Sequence, residues 1–285
     1  MHIPRYWARG VPRSPSAGRR AAAVACWKWS DVSLEDARRQ ADARAVELAQ
    51  ILQSGSPPDR YAYGDRPLRE EIVQTIANDA GDQAAIITRN LYGALVLNAA
   101  GAMFIDIDFA SGGQPAPQGG MLGRLFGKGR PDDAEQRGVD RLQTWADQQT
   151  GLGLRIYRTC AGLRCLVTSQ TVDPTRLETI ELLHNVGSDP LYVRLCQAQS
   201  CFRARLTPKP WRCGAHTPPT HYPWTTEEQE SRFRNWQSSY ERLIERYRVC
   251  RLLRHIGPAD VHPEIQPILA LHDRFTCSLP DRPLA

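Results

Sequence analysis

The chain has 285 residues, 41% of them hydrophobic, and a formal net charge of +5, which supports a sizeable buried core and excludes an intrinsically disordered chain. No apolar run approaches the ~18 residues that a membrane-spanning helix requires, so we expect no membrane partner. The eight cysteines are spread too thinly for the disulfide framework of a small secreted domain, so we expect a reducing, cytoplasmic setting.

Residues 1–83 predict an α/β extension ahead of the main domain. The arginine-rich start indicates a partly ordered N-terminus rather than a signal peptide. The segment Ser33–Asp36 has a helix-capping pattern, and apolar residues follow at three- and four-residue spacing until Gly55. A proline in the first turn indicates a second short helix over Pro67–Ala77. Four aromatic residues of this region are candidates for base stacking or for core packing: Trp27, Trp29, Tyr61 and Tyr63.

Residues 84–216 predict a core of the α+β class. Its elements in chain order are strands at Ala84–Thr88, Ala94–Asn98 and Met103–Phe109, a helix at Asp132–Gln149, a hairpin of Leu154–Thr159 and Leu163–Thr168, a helix at Pro174–Val186, a helical turn at Pro190–Ala198 and a strand at Cys201–Leu206. The Gly- and Pro-rich segment Ala110–Pro131 predicts a flexible loop, either a lid over a neighbouring site or an incidental insertion. From Met103 onward the order is βαββαβ, which is typical of a ferredoxin-like or RRM-like fold.

Residues 217–285 predict a helical region packed on the core. The segment Thr225–Glu228 has a capping pattern, and an amphipathic stripe follows from Phe233 through Cys250 to Leu253. A last helix near His262–Phe275 should pack behind the sheet.

Two aspartates interrupt the apolar strand Met103–Phe109. Successive side chains of a strand point to opposite faces, so Asp106 and Asp108 share one face. Two carboxylates so close repel each other unless a cation lies between them. Hard oxygen ligands of this kind suit Mg²⁺ or Mn²⁺, the ions that accompany phosphates, and the alternatives are a capped strand end or a structural pair with arginine.

Cationic side chains are concentrated on the last predicted strand of the core. Arg203 and Arg205 share a face there, and Lys209 follows on a proline-stiffened turn. Only three of the 36 basic residues are lysines, so a lysine at this place suggests a compact point charge beside a phosphate. The alternative is a solvated basic strand edge. The predicted hairpin adds weaker candidates for nucleotide contacts: Arg158, Thr159 and Arg164.

This order of motifs resembles the archaeo-eukaryotic primase superfamily, including the primase-polymerases, over residues 100–212. The matching elements are Asp106 and Asp108, the Thr159–Arg164 hairpin, and Asp189 with Tyr192, followed by Phe202-Arg203 and Lys209. The histidine of the family's hairpin motif is absent, because Arg164 or Cys165 stands there, and the spacing from Tyr192 to Phe202 is longer than in the family.

The resemblance implies a metal-dependent nucleotidyltransferase that moves nucleotides from NTP or dNTP onto a hydroxyl, with a single-stranded nucleic acid as template, as in DNA replication. It implies that Asp106, Asp108 and Asp189 hold Mg²⁺ or Mn²⁺. The residues implied to bind the nucleotide are Arg158, Thr159, Arg164, Arg203, Arg205 and Lys209.

A second metal site is suggested by the spacing C-x4-C-x11-C-x2-H of Cys196, Cys201, Cys213 and His216. The last pair has usable ligand spacing for Zn²⁺, and primase relatives often carry zinc in this region. Buried structural cysteines are the alternative.

Three other functions compete with the transferase. A β-type nucleotidyltransferase has a Gly-Ser pair before its aspartates, where this chain has Gly93-Ala94. A phosphatase of the haloacid dehalogenase type needs a threonine where Ala110 stands. A catalytically degenerate nucleic-acid-binding protein of the same fold explains the missing histidine, but it gains nothing from two carboxylates that face an anionic ligand.

Overall fold

The computed structural model describes residues 1–12, 25–54, 67–78, 80–109, 131–278 and 280–285, with the backbone alone for residues 131–133. Within these ranges the chain forms ten strands and six helices. The strands are β1 Tyr6–Gly10, β2 Cys26–Ser30, β3 Glu71–Ala77, β4 Gln83–Arg89, β5 Leu95–Ala99, β6 Phe104–Asp108, β7 Leu154–Thr159, β8 Gly162–Val167, β9 Phe202–Arg205 and β10 Cys250–Ile256. The helices are α1 Leu34–Gln53, α2 Pro131–Asp147, α3 Leu177–Asn185, α4 Pro190–Gln199, α5 Glu227–Ile244 and α6 Gln266–Thr276.

Two four-stranded antiparallel sheets form the centre of the fold, in the orders β3-β4-β5-β9 and β10-β7-β8-β6. One hydrophobic core runs through both of them and extends from Ala85 on β4 to Leu271 on α6. The chain is therefore of the α+β class. None of the described helices has the length and apolar character needed to span a membrane.

The N-terminal extension is a β1-β2 hairpin covered by α1. Ser33 caps α1 as predicted, because its hydroxyl accepts a hydrogen bond from the Asp36 backbone N–H at 3.0 Å. The helix approaches the hairpin closely through Ala37 and Ala41, which pack against Ala8. Tyr61, Tyr63 and the predicted loop at 110–130 lie outside the described residues.

The predicted helix over Pro67–Ala77 is wrong. Residues Glu71–Ala77 form strand β3, which pairs with β4 in the register Ile72↔Thr88. Its β-branched residues Ile72, Val73, Thr75 and Ile76 favour a strand, and this preference outweighs the proline at the start of the segment.

The chain order βαββαβ from β6 to β9 is present, but its last strand does not close the same sheet. Strand β8 lies between β6 and β7, whereas β9 pairs with β5 in the other sheet. The free edge of β6 is already occupied, because its carbonyl groups at Phe104 and Asp106 accept hydrogen bonds from the Tyr192 hydroxyl and the Asp189 backbone N–H, both at 2.8 Å. A strand placed there would lose those partners.

The C-terminal region is not wholly helical. Helices α5 and α6 agree with the prediction, and Thr226 caps α5 through the Gln229 backbone N–H. The amphipathic stripe, however, does not continue as a helix to Leu253. Residues Cys250–Ile256 form β10, which pairs with the outer edge of β7 in the register Leu252↔Tyr157.

Candidate functional site

The site lies where β6 faces β9, at the junction of the two large sheets. Asp106 and Asp108 share one face of β6, and the cross-strand neighbours on that face are Arg164 and Gly162 of β8. Helix α2 covers the opposite face, where Gly138 packs against Leu163. Helix α6 packs on the aspartate face further along the sheet, against Phe104 and Arg164, but the Asp106 side chain is still 32% exposed.

Asp108 is at the centre of a mixed group of charges. Its pKa is raised, first because partial burial removes some of the water around its carboxylate, and then because the carboxylates of Asp106 and Asp189 are nearby. The residue still reaches solvent. The cations of Lys209 and Arg205 act in the opposite direction. The two aspartates of β6, Arg205 at the end of β9 and Lys209 after it therefore share one electrostatic environment.

Arg205 on β9 is a half-buried cation in this group of charges. It forms no ion pair with a described residue, and its buried Nε has no hydrogen-bond partner among them. Its pKa is lowered, first by burial and then by the positive charge of Arg164. Buried charges are normally paired, because an unpaired one costs several kcal/mol. The negative charge of Asp106 acts in the opposite direction, and an anionic ligand would offset the charge of Arg205 in the same way.

Lys209 extends this cationic group toward solvent. Burial lowers its pKa, and the charges of Arg205 and Arg212 lower it further, whereas Asp108 and Asp106 oppose them. The ammonium group lies 5.5 Å from the centre of the Trp211 ring. Lys209 thus stands between the two aspartates and an exposed aromatic side chain.

Arg164 connects the acidic and the basic sides. Its Nη1 donates to the carbonyl oxygen of Arg205 at 2.8 Å, and its Nε lies 3.8 Å from the nearer carboxylate oxygen of Asp106. The latter distance is too long for a hydrogen bond, so Asp106 keeps capacity to bind another cation.

The sequence prediction missed a buried network behind Arg164. His272 of α6 has its Nε2 3.5 Å from Nη1 of Arg164, and its Nδ1 lies 3.0 Å from Asp273. Asp273 also accepts hydrogen bonds from Tyr157 at 2.8 Å and Arg155 at 2.7 Å. Burial lowers the pKa of His272 to about 4, so the ring is neutral at physiological pH. No local pattern indicates this network, because its members on β7 and β8 are more than 100 residues from those on α6.

Several predicted site residues have structural partners instead. Arg203 donates to Glu70 at 2.8 and 3.1 Å, and Glu70 in turn accepts from the Thr88 hydroxyl at 2.5 Å. Arg158 pairs with Glu135 at 2.9 Å and lies over the Phe109 ring. We therefore leave Arg203 and Arg158 out of the site.

Thr159 and Asp189 also stabilise local structure. The Thr159 hydroxyl accepts from the Gly162 backbone N–H at 3.1 Å, which fixes the hairpin turn. The Asp189 carboxylate caps α4, because its two oxygens accept from the backbone N–H groups of Leu191 and Tyr192 at 3.3 and 3.2 Å. Asp189 is close enough to affect Asp108, but its lone pairs are partly used.

The described residues do not form a metal site built wholly from their own side chains. No group of three or more His, Cys, Asp or Glu side chains within the described ranges is placed to hold a metal ion. This finding includes Asp106, Asp108 and Asp189. Two carboxylates on one strand face nevertheless fit Mg²⁺, which is usually held by one or two carboxylates together with substrate phosphates.

The predicted zinc ligands are likewise not gathered. Cys196 and Cys201 are fully buried, and burial raises their pKa to about 12 and about 11. Cys213 donates to the Pro210 carbonyl oxygen at 3.2 Å, and His216 is exposed. The alternative of buried structural cysteines agrees with this arrangement.

No family model, curated protein or solved structure matches this chain. The residues of the site and their geometry are therefore the basis on which its function is inferred.

Proposed function

We propose that the junction between β6 and β9 binds a nucleoside triphosphate and that the protein is a metal-dependent nucleotidyltransferase of the primase-polymerase kind. The observation that carries the proposal is the half-buried guanidinium of Arg205, which forms no ion pair with a described residue, beside Lys209 and near the carboxylates of Asp106 and Asp108. A polyphosphate is the ligand that needs both features, since it is an anion that arrives with a divalent cation.

Each residue has a separate task in this proposal. Arg205 and Lys209 neutralise the triphosphate, and binding of the anion removes the cost of their mutual repulsion. Arg164 holds the carbonyl oxygen of Arg205 and thereby fixes the end of β9 against β8. Asp106 and Asp108 would hold Mg²⁺ or Mn²⁺, with phosphate oxygens completing the ligand set.

The metal, when bound, would activate the attacking hydroxyl and offset charge on the phosphate. The protein residues supply position and electrostatics. Since phosphoryl transfer needs little else from the protein, the absence of a histidine from the hairpin does not remove the chemistry.

We also propose that the site is built on a ferredoxin-like core. We treat β6-α2-β7-β8 as the split βαβ half of a ferredoxin-like core, with β9 beside β6 in place of its fourth strand. In such a core the catalytic acids are on the first strand, which is the place of Asp106 and Asp108.

A non-catalytic nucleic-acid-binding protein is the second candidate. The observation in its favour is that the Asp189 carboxylate caps α4. Two acids are then left to bind a metal, where the resemblance implies three. Nucleotide incorporation distinguishes the two candidates, because only the transferase forms a product.

The experiment measures incorporation of labelled nucleotides on a primed single-stranded template with Mn²⁺. We expect product from the wild type and from Asp140→Asn, a control on the exposed side of α2. Asp108→Asn should lower the rate by roughly 1000-fold, since metal contacts supply several kcal/mol of transition-state stabilisation. Template binding without product in any of the three proteins would instead support the binding protein.

A further inference from the structure

An exposed aromatic pair lies beside the cationic group. Trp211 is 51% exposed and Tyr92 is 45% exposed, and their rings meet edge to face with centroids 5.1 Å apart. Leu91 next to them is 57% exposed. Single exposed apolar residues are ordinary, but two large aromatic rings held together in solvent indicate a binding surface.

Both rings are presented by fixed turns. The turn that carries Tyr92 is closed by Asn90, whose side chain accepts from the backbone N–H groups of Tyr92 and Ala94 at 3.0 and 3.1 Å. Buried Arg89 also donates to the Gly93 carbonyl oxygen at 3.0 Å. A rigid aromatic group loses little conformational freedom when a ligand stacks on it.

The turn that carries Trp211 is equally constrained. Pro208 and Pro210 flank Lys209, and the Tyr240 hydroxyl donates to the carbonyl oxygen of Pro208 at 2.6 Å. The two turns adjoin because β5 and β9 pair, with Leu206 donating to Leu95 at 2.8 Å.

Positive charge borders the pair on one side. The Lys209 ammonium lies 5.5 Å from the Trp211 ring centre, and Arg212 is close enough to lower the pKa of Lys209. Neither cation forms an ion pair with a described residue. Rings for bases beside cations for phosphates are the combination that recognises single-stranded nucleic acid.

We propose that Tyr92 and Trp211 form a stacking surface for the bases of a single-stranded nucleic acid whose phosphates contact Lys209 and Arg212. The inference rests on the proposed function and deepens it by naming where the single-stranded template binds, although the binding itself needs neither metal nor triphosphate. The surface continues from the site through Lys209, which would bring a bound strand toward Asp106 and Asp108.

The test is fluorescence anisotropy with a labelled 12-nucleotide oligothymidylate, without metal or triphosphate. Trp211→Ala should weaken binding about 5- to 100-fold, and Tyr92→Ala should also weaken it, because a stacked base contributes this much. Trp211→Phe should retain most of the affinity. Quenching of tryptophan fluorescence by the strand should be smaller in Trp211→Phe than in the wild type.

Controls separate stacking from general effects. Leu177→Ala, which removes a 65% exposed apolar side chain from α3, should leave the affinity unchanged. Arg212→Gln should reduce the salt dependence of binding by about one counterion. Asp108→Asn, which ends transfer under the proposed function, should still bind the strand, so the two proposals can fail separately.

Equal affinity of the wild type and Trp211→Ala for the oligonucleotide would overturn the proposal, provided that both proteins melt at the same temperature. It would also be overturned if Trp211→Ala changed only triphosphate binding or only self-association measured by sedimentation.

Discussion

Arg164 on β8 donates a hydrogen bond to the carbonyl oxygen of Arg205 on β9, 2.8 Å away, and so links the two large sheets. The bond holds two arginines of like charge side by side. The proposed anion site therefore depends on a residue that is 3% exposed and that a ligand would scarcely touch.

We expect Arg164→Met to lower the free energy of unfolding by about 3 kcal/mol, because it leaves the Arg205 carbonyl oxygen and the buried ring of His272 without their partner. Urea denaturation measures the loss. Arg254→Met, a change on the exposed side of β10, should cost less than about 0.5 kcal/mol. Equal stability of the two variants would contradict the role of Arg164 as a link between sheets.

Asp108→Asn should change triphosphate affinity in opposite directions with and without metal. Without metal the variant should bind a non-hydrolysable triphosphate more tightly than the wild type, because a carboxylate that repels phosphate is gone. With Mn²⁺ the variant should bind more weakly, because a metal ligand is gone. Titration calorimetry checks both signs, with Asp140→Asn as the matched control. The same sign under both conditions would exclude metal binding at Asp108.

The pair of Arg203 and Glu70 should stabilise the fold without taking part in ligand binding. Arg203→Met alone should cost about 3 kcal/mol, because it leaves Glu70 buried and unpaired. The double variant Glu70→Gln with Arg203→Met should cost less than the sum of the single changes, with a coupling of about 2 kcal/mol. A double-mutant cycle in urea measures this coupling. Loss of triphosphate affinity in a folded Arg203→Met protein would show that Arg203 takes part in ligand binding.

His272 should make the protein sensitive to acid. Its pKa is about 4 in the folded protein, against ~6.5 in an unfolded chain, so the unfolded chain binds more protons between these values. Stability should therefore fall as pH drops from about 6.5 to about 4, by about 3 kcal/mol in total from this residue. Burial raises the pKa of Asp273, but hydrogen bonds from His272 and Tyr157 outweigh it and lower that pKa, so the contribution of Asp273 is lost only below about pH 4.

The charged and titratable groups that face His272 are Asp273 on its own helix, Arg164 on β8, Arg155 and Tyr157 on β7, and Cys250 on β10. His272→Asn keeps a donor for Asp273 but removes the titrating ring. Its unfolding free energy should therefore depend less steeply on pH between 4 and 6.5. Thermal unfolding across this range tests the expectation, and an unchanged slope would assign the acid sensitivity to other groups.

Local pattern was enough to predict the strands that carry the site. The bounds of β7 agree with the prediction, and those of β6 and β9 differ by one residue at each end, because alternating or continuous apolar runs determine them. The shared face of Asp106 and Asp108, and the approach of Lys209, followed from strand periodicity and chain order. These features depend only on short segments and on the rule that alternate side chains of a strand share a face.

Partners supplied by distant segments could not be predicted in this way. Arg203 is 133 residues from Glu70, and nothing near either residue indicates that they meet. The sequence favours helix as far as Leu253 because the apolar residues at the start of β10 continue the stripe of α5, whereas pairing with β7 decides the conformation of this segment. The sheet order differs from the predicted one for a related reason. Tyr192 and Asp189 occupy the edge of β6, and β9 pairs with β5 in the other sheet.

The position of α6 determines when the protein can finish folding. This last helix covers the face on which Arg164 lies, with the His272 ring 4.8 Å from Tyr157 and 5.3 Å from Phe104. Until it leaves the ribosome exit tunnel, a guanidinium and several apolar side chains of the nascent chain face water. A chain stalled before Gln266 should therefore be digested readily by protease, whereas the released protein should resist.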